Sequence, residues 1–147
     1  MIKSVLKLQK FLNRIPEINS GGCGIAALYF SNLLDTLNIN HKIVYGYYGS
    51  EYRCEQGKMA LKNGEVIPTP THVYIRVHSK ERRLPQCFDA SGEIDSRIYR
   101  KTIVSKENLI RTLNECGWNS DFKRDKHIER IDEFYNKLIK NTSDLNA

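Results

Sequence analysis

A cysteine, a histidine and an aspartate, in the order Cys23, His72 and Asp89, are the residues of this chain whose types and spacing could do covalent chemistry. Cys23 follows a polar, Gly-rich approach (Asn19-Ser20-Gly21-Gly22) and opens a run to Leu37 that is apolar nearly all round. A helix of that composition is a buried one. Gly21 and Gly22 allow a tight turn and leave room for another molecule beside the sulfur. A helix N-terminus carries unpaired N–H groups and about half a positive charge, which favour an anion. A thiol there gives up its proton more readily, and the thiolate is the nucleophile. The plainer role for Cys23 is a small buried hydrophobe, as free cysteine commonly is.

A base for that thiol emerges from strand alternation. In the stretch 71–78, Thr-His-Val-Tyr-Ile-Arg-Val-His, one face takes Val73, Ile75 and Val77 and the other takes His72. A hairpin to residues 84–90, with its turn centred on Lys80 and Glu81, pairs 72 with 89, 73 with 88 and 77 with 84. The apolar faces then agree, and His72 stands directly across from Asp89, within reach of an imidazole–carboxylate hydrogen bond. A one-residue slip would undo the match. Imidazole takes or holds a thiol proton near neutral pH. A carboxylate on its far nitrogen fixes the tautomer and steadies the imidazolium. A tetrahedral intermediate also needs donors aimed at its oxyanion, and the Cys23 N–H and the Asn19 amide are the candidates. Gly21, Gly22 and Tyr74 are candidates for meeting substrate. Each residue has a plainer role too. His72 could be a packing residue, Asp89 a turn former before Ala-Ser-Gly, and Asn19 a loop residue bonded to its own backbone. His41, His78 and His127 show that histidine occurs here without a catalytic setting.

The elements that must position these groups read as α+β in one domain, residues 1–147. A first helix over 2–14 is closed by Pro16, and the Cys23 helix ends near Asn38 to Asn40, where Asn can take a left-handed cap. Residues 41–48 read as a strand. Asn63-Gly64 is a turn between short strands at 58–62 and 65–67, stopped by Pro68 and Pro70. The hairpin strands 71–78 and 84–90 follow, then an irregular stretch and an edge strand at 99–104. Ser105 is the expected N-cap of a helix to Cys116, ended by Gly117. A last amphipathic helix spans 126–140, with 141–147 a frayed tail.

Composition narrows the function classes. At 147 residues, 40% hydrophobic and 27% charged, the chain is an ordinary soluble domain. It has no apolar run of about 18 residues and no signal-like segment, so neither a membrane span nor secretion is expected. Cys23, Cys54, Cys87 and Cys116 are scattered with no CxxC pair, which argues against a zinc site or a redox dithiol. Reduced thiols, no metal, no cofactor and a cytoplasmic location are the expectation. The net charge of +6 gathers in residues 1–18 and 80–101. Lys3, Lys7, Lys10 and Arg14 share one face of the first helix, opposite Val5, Leu8, Leu12 and Ile15. A solvated basic edge explains that pattern better than nucleic-acid binding does, and an acidic protein partner is compatible with it.

The order Cys, His, Asp, with GGCGIAAL opening a helix, THVYIRV as a strand and CFDASGEI on the next, resembles the papain-like cysteine peptidase superfamily. The gaps of 49 and 17 residues are similar to its compact branches: transglutaminase-like proteins, bacterial cell-wall amidases and double-glycine leader peptidases. Small papain-fold proteins of bacterial and phage genomes are similar as well. The resemblance covers about residues 15–95. It implies a papain-like core in which the Cys-bearing helix packs on a small antiparallel sheet. It also implies Cys23 as nucleophile, His72 as general base and acid, and Asp89 as orienting residue. Papain-type enzymes usually carry a Gln six residues before the Cys; that position is Glu17 here, so either Asn19 substitutes or the oxyanion hole is built differently. The implied activity is thiol-dependent hydrolysis or acyl transfer on a protein or peptide amide (peptidase, amidase, deamidase or transglutaminase) through a thioester. The alternative is a non-catalytic papain-fold binding protein. It would sequester a protein or a small anionic ligand through its basic first helix and Tyr45, Tyr47 and Tyr48.

Overall fold

The computed structural model describes residues 2–19, 21–47, 58–60, 66–68, 72–78, 83–98, 100–115 and 124–146. Helix α1 (Lys3–Leu12) buries Val5, Leu8, Gln9 and Leu12 and leaves Lys3, Lys7 and Lys10 exposed. The basic edge is thus a solvated one. Helix α2 (Cys23–Thr36) is the centre of the molecule, with ten buried residues from Cys23 to Leu34. It ends in a Schellman cap: Asn38 takes φ 57°, its N–H reaches the Asp35 carbonyl at 3.0 Å, and the Ile39 N–H reaches Leu34 at 2.9 Å.

A five-stranded antiparallel sheet packs against α2 in the order β6-β5-β4-β1-β7. Its strands are β1 (Lys42–Tyr47), β4 (His72–Val77), β5 (Gln86–Asp89), β6 (Gly92–Glu93) and the edge strand β7 (Arg100–Val104). Alternation sorts the side chains. Ile43, Tyr45, Val73, Ile75 and Phe88 join the main core, where Phe88 meets Phe30 of α2 edge to face at 5.1 Å. Val44, Tyr74 and Cys87 form a second cluster with Ile94. Strands β2 (Lys58–Ala60) and β3 (Val66–Pro68) pair separately as a two-stranded ribbon.

Helices α3 (Lys106–Glu115) and α4 (Arg124–Asn146) complete the helical layer. Ser105 caps α3 as its position predicts, its Oγ accepting the Asn108 N–H at 3.1 Å. Lys106 then pins the start of α3 to Asn32 and Asp35 on α2. Helix α4 lies across α1 and α2: Phe134 stacks on Phe11 at 4.0 Å, and Tyr135 meets Tyr29 edge to face. Helix α4 continues beyond the expected end at residue 140, and Thr142 there is buried. The Thr142 hydroxyl satisfies itself on the Leu138 carbonyl, which lets a polar residue sit inside the helix layer. Among the described residues no helix is long and apolar enough to cross a membrane.

One expectation needs correction. The β4–β5 register pairs Ile75 with Phe88, Arg76 with Cys87 and Val77 with Gln86, two residues away from the register in which 77 meets 84. Pro85 explains it: with no N–H it cannot join the ladder, so β5 starts at Gln86 and Leu84 is left 72% exposed. Because side chains alternate with period two, a two-residue shift keeps every residue on its expected face. The Asn63-Gly64 turn, Pro70 and the Cys116-Gly117 helix end lie outside the described residues.

Candidate active site

The site begins where α2 does. Gly21 adopts φ 108°, a left-handed conformation that suits glycine, and Gly22 is the buried N-cap, so Cys23 becomes the first helical residue. No side chain caps this end, and its first turn holds no acid. The leading N–H groups of α2 are therefore available to an anion near the sulfur. Cys23 is 7% exposed.

His72 opens β4 and pairs with Gly46 of β1, a residue with no side chain. In the observed register Asp89 is not directly opposite His72; it stands one diagonal step away on the same face. The contact forms nonetheless, with His72 Nε2 and Asp89 Oδ2 2.5 Å apart. A diagonal neighbour is still within reach of a long side chain. The other carboxylate oxygen, Oδ1, accepts the Ser91 N–H at 2.7 Å and the Ser91 hydroxyl at 2.5 Å. Asp89 is thus a turn former and a histidine partner at once, one oxygen for each role.

Cys23, His72 and Asp89 are brought together. Burial alone would pull the His72 pKa down. Hydrogen bonds to Asp89 and to Cys23, with the charge attraction of both, outweigh it and raise the value from 6.5 to about 9. Burial would push the Asp89 carboxyl up, but His72 and Ser91 hold it below its ordinary value of 3.8. The two effects describe one proton held firmly between ring and carboxylate.

The remaining candidates fall elsewhere. Asn19 is exposed on the loop after α1 and takes no part in this network, and Glu17, also exposed, occupies a left-handed φ of 63°. Tyr74 sits within β4 rather than in a loop. It is 1% exposed, its ring lies beside that of His72 at 6.3 Å, and burial pushes its hydroxyl up to about 12. Its ring packs beside the histidine from within the sheet. Two contributors escape the motif reading. Ser91 is one; the Asp-Ala-Ser spacing of a side-chain-to-backbone turn was its signal. The other is Gln9, a lone amide on the apolar stripe of α1, whose Nε2 donates to the Ala90 carbonyl at 2.6 Å. It ties α1 to the residue after Asp89.

Among the described residues no group of three or more His, Cys, Asp and Glu side chains is arranged to hold a metal ion. The arrangement can hold a thiol beside an imidazolium and offer helix N–H groups to a nearby negative charge. No family model, curated protein or solved structure matches this chain.

Proposed function

We propose that the chain is a thiol-dependent amide hydrolase or acyl transferase built on a papain-like core. The observation that carries this reading is the hydrogen-bonded run from Ser91 through Asp89 to His72, with Cys23 close enough to His72 to help raise its pKa and seated on the uncapped first turn of α2. With Nε2 committed to Asp89, Nδ1 is the nitrogen left to exchange a proton with the thiol. The Cys23 thiolate attacks an amide carbonyl, forming an S–C bond. The N–H groups of α2 receive the oxyanion, and His72 gives its proton to the departing amine as the C–N bond breaks. Water or a second amine, deprotonated by His72, then releases the thioester and restores the thiol.

The test is the pH profile of iodoacetamide alkylation at each cysteine, read by peptide mass spectrometry on native protein. Cys54, Cys87 and Cys116 serve as internal controls. Cys23 is expected to react fastest at about pH 6–7, with His72→Ala removing the advantage. A Cys23 that reacts no faster than its neighbours overturns the reading and favours the non-catalytic binding protein.

A further inference from the structure

The end of the sheet away from Cys23 gathers two cations, Lys42 and Arg76, for which no acidic partner is found among the described residues. Lys42 on β1 and Arg76 on β4 are direct cross-strand partners. Their Cβ atoms are therefore about 5 Å apart, an arrangement that disfavours two like charges. A cavity of about 480 Å³ opens beside them, lined by Asn40, His41, Lys42, Arg76, His78 and Pro85. Among the described residues no carboxylate lines it. Elsewhere among the described residues the cations Arg97, Lys106 and Lys137 each have an acidic partner. Among those residues Lys42 and Arg76, like the lysines of α1, have none.

The donors are of complementary kinds. Arg76, half-buried, presents a planar fork that matches two oxygens of one anion. Lys42 supplies a compact point charge, His78 a ring N–H and Asn40 an amide. His41 is committed already: its Nδ1 lies 2.9 Å from the Ile39 carbonyl and its Nε2 2.7 Å from Ser31 Oγ. It acts as a wall. Pro85, which starts β5 late, closes the opposite side.

We propose that this cavity is a binding site for a phosphate monoester dianion, held by Arg76 and Lys42. The anion offsets the repulsion between these two facing cations. The site lies four residues along β4 from His72, roughly 13 Å, and does not depend on the reactive trio.

The experiment is a titration of the full chain with inorganic phosphate and with glycerol phosphate at constant ionic strength. It follows the backbone amide resonances of residues 42 and 76 by nitrogen-15 NMR, and where Arg76 is present its side-chain Nε–H as well. Saturable shifts in the millimolar range or tighter are expected, with the monoester binding more tightly than inorganic phosphate if an ester group also meets the cavity. Arg76→Gln and Lys42→Gln should each weaken binding at least tenfold, whereas Lys137→Gln and Cys23→Ala should leave it unchanged. Lys42→Gln removes a repulsion and so keeps the test open should Arg76→Gln fail to fold. Shifts that stay linear with concentration, that sodium chloride reproduces, or that survive in Lys42→Gln overturn the proposal. Loss of thiol reactivity with retained phosphate binding would separate the failure of the catalytic reading from this one.

Discussion

Helix α2 carries two potential nucleophiles, each beside an imidazole: Cys23 with His72 at its start, and Ser31 with His41 about two turns further along. Ser31 Oγ lies 2.7 Å from His41 Nε2, and His41 Nδ1 faces the Ile39 carbonyl at 2.9 Å. A peptide carbonyl accepts only, so Nδ1 carries a proton, and Nε2 faces the serine hydroxyl with Asp35 Oδ1 3.9 Å away. Two differences set the pairs apart. The far nitrogen of His72 meets a carboxylate, which stabilises an added positive charge far better than a neutral carbonyl does. And Ser31 is 1% exposed inside the helix, where the neighbouring N–H groups are already used, whereas Cys23 sits where they are not. A nucleophile touching a histidine is therefore not yet a site. Position along the helix and the partner behind the ring decide.

The sharpest way to break this comparison is to remove each nucleophile. Cys23→Ala should abolish turnover in an amide-cleavage or acyl-transfer assay while leaving the circular dichroism spectrum intact. Ser31→Ala should keep turnover within a few-fold. Exchanging the histidines is the next test: His72→Gln should lower kcat/KM by about 10²–10⁴-fold. His41→Gln should instead cost roughly 1 kcal/mol of stability, read by urea denaturation, with little change in rate.

The pH dependence of stability sharpens the contrast further. The folded pKa of His72, about 9, lies above its ordinary 6.5, so the native state binds that proton more tightly than the unfolded chain. Its contribution is whole below about pH 6.5 and is lost as pH climbs through about 9. Asp89, held below 3.8, contributes above that value and loses its contribution as pH falls further. Urea midpoints measured from pH 6 to 10 should fall across this range, and Asp89→Asn should flatten the slope. The smallest effect concerns the turn behind the carboxylate. Ser91→Ala should cost roughly 1 kcal/mol and leave most of the rate, because the Ser91 N–H still holds Oδ1.

Local signals in this chain were easy to read and distances were not. The caps at Asn38 and Ser105, the Cys23 helix start and the edge strand at Arg100–Val104 follow from residue types that act on their immediate neighbours. The hairpin register was misjudged by two because Pro85 was counted as a ladder residue. The His72–Asp89 contact was anticipated all the same, since face parity alone brings the two side chains to one side of the sheet. Gln9 was not legible as a site residue. Its partner is a backbone carbonyl, which leaves no mark in residue type, and the expected amide donor, Asn19, lies on the surface instead. The end of α4 was placed early because Asn141, Thr142 and Ser143 look like a polar tail, whereas Thr142 folds inward.

The bond from Gln9 to Ala90 joins positions 81 residues apart, and that separation bears on when the trio exists at all. Contacts between remote segments close late, because the loop entropy must be overcome before they form. A nascent chain that has released α1 and α2 holds Cys23 without its histidine, and one that has released β4 holds both without Asp89. Until β5 has emerged and docked under α1, the thiol has neither its full base nor the tether that fixes it. Synthesis from the N-terminus thus keeps the three side chains apart until the sheet is assembled.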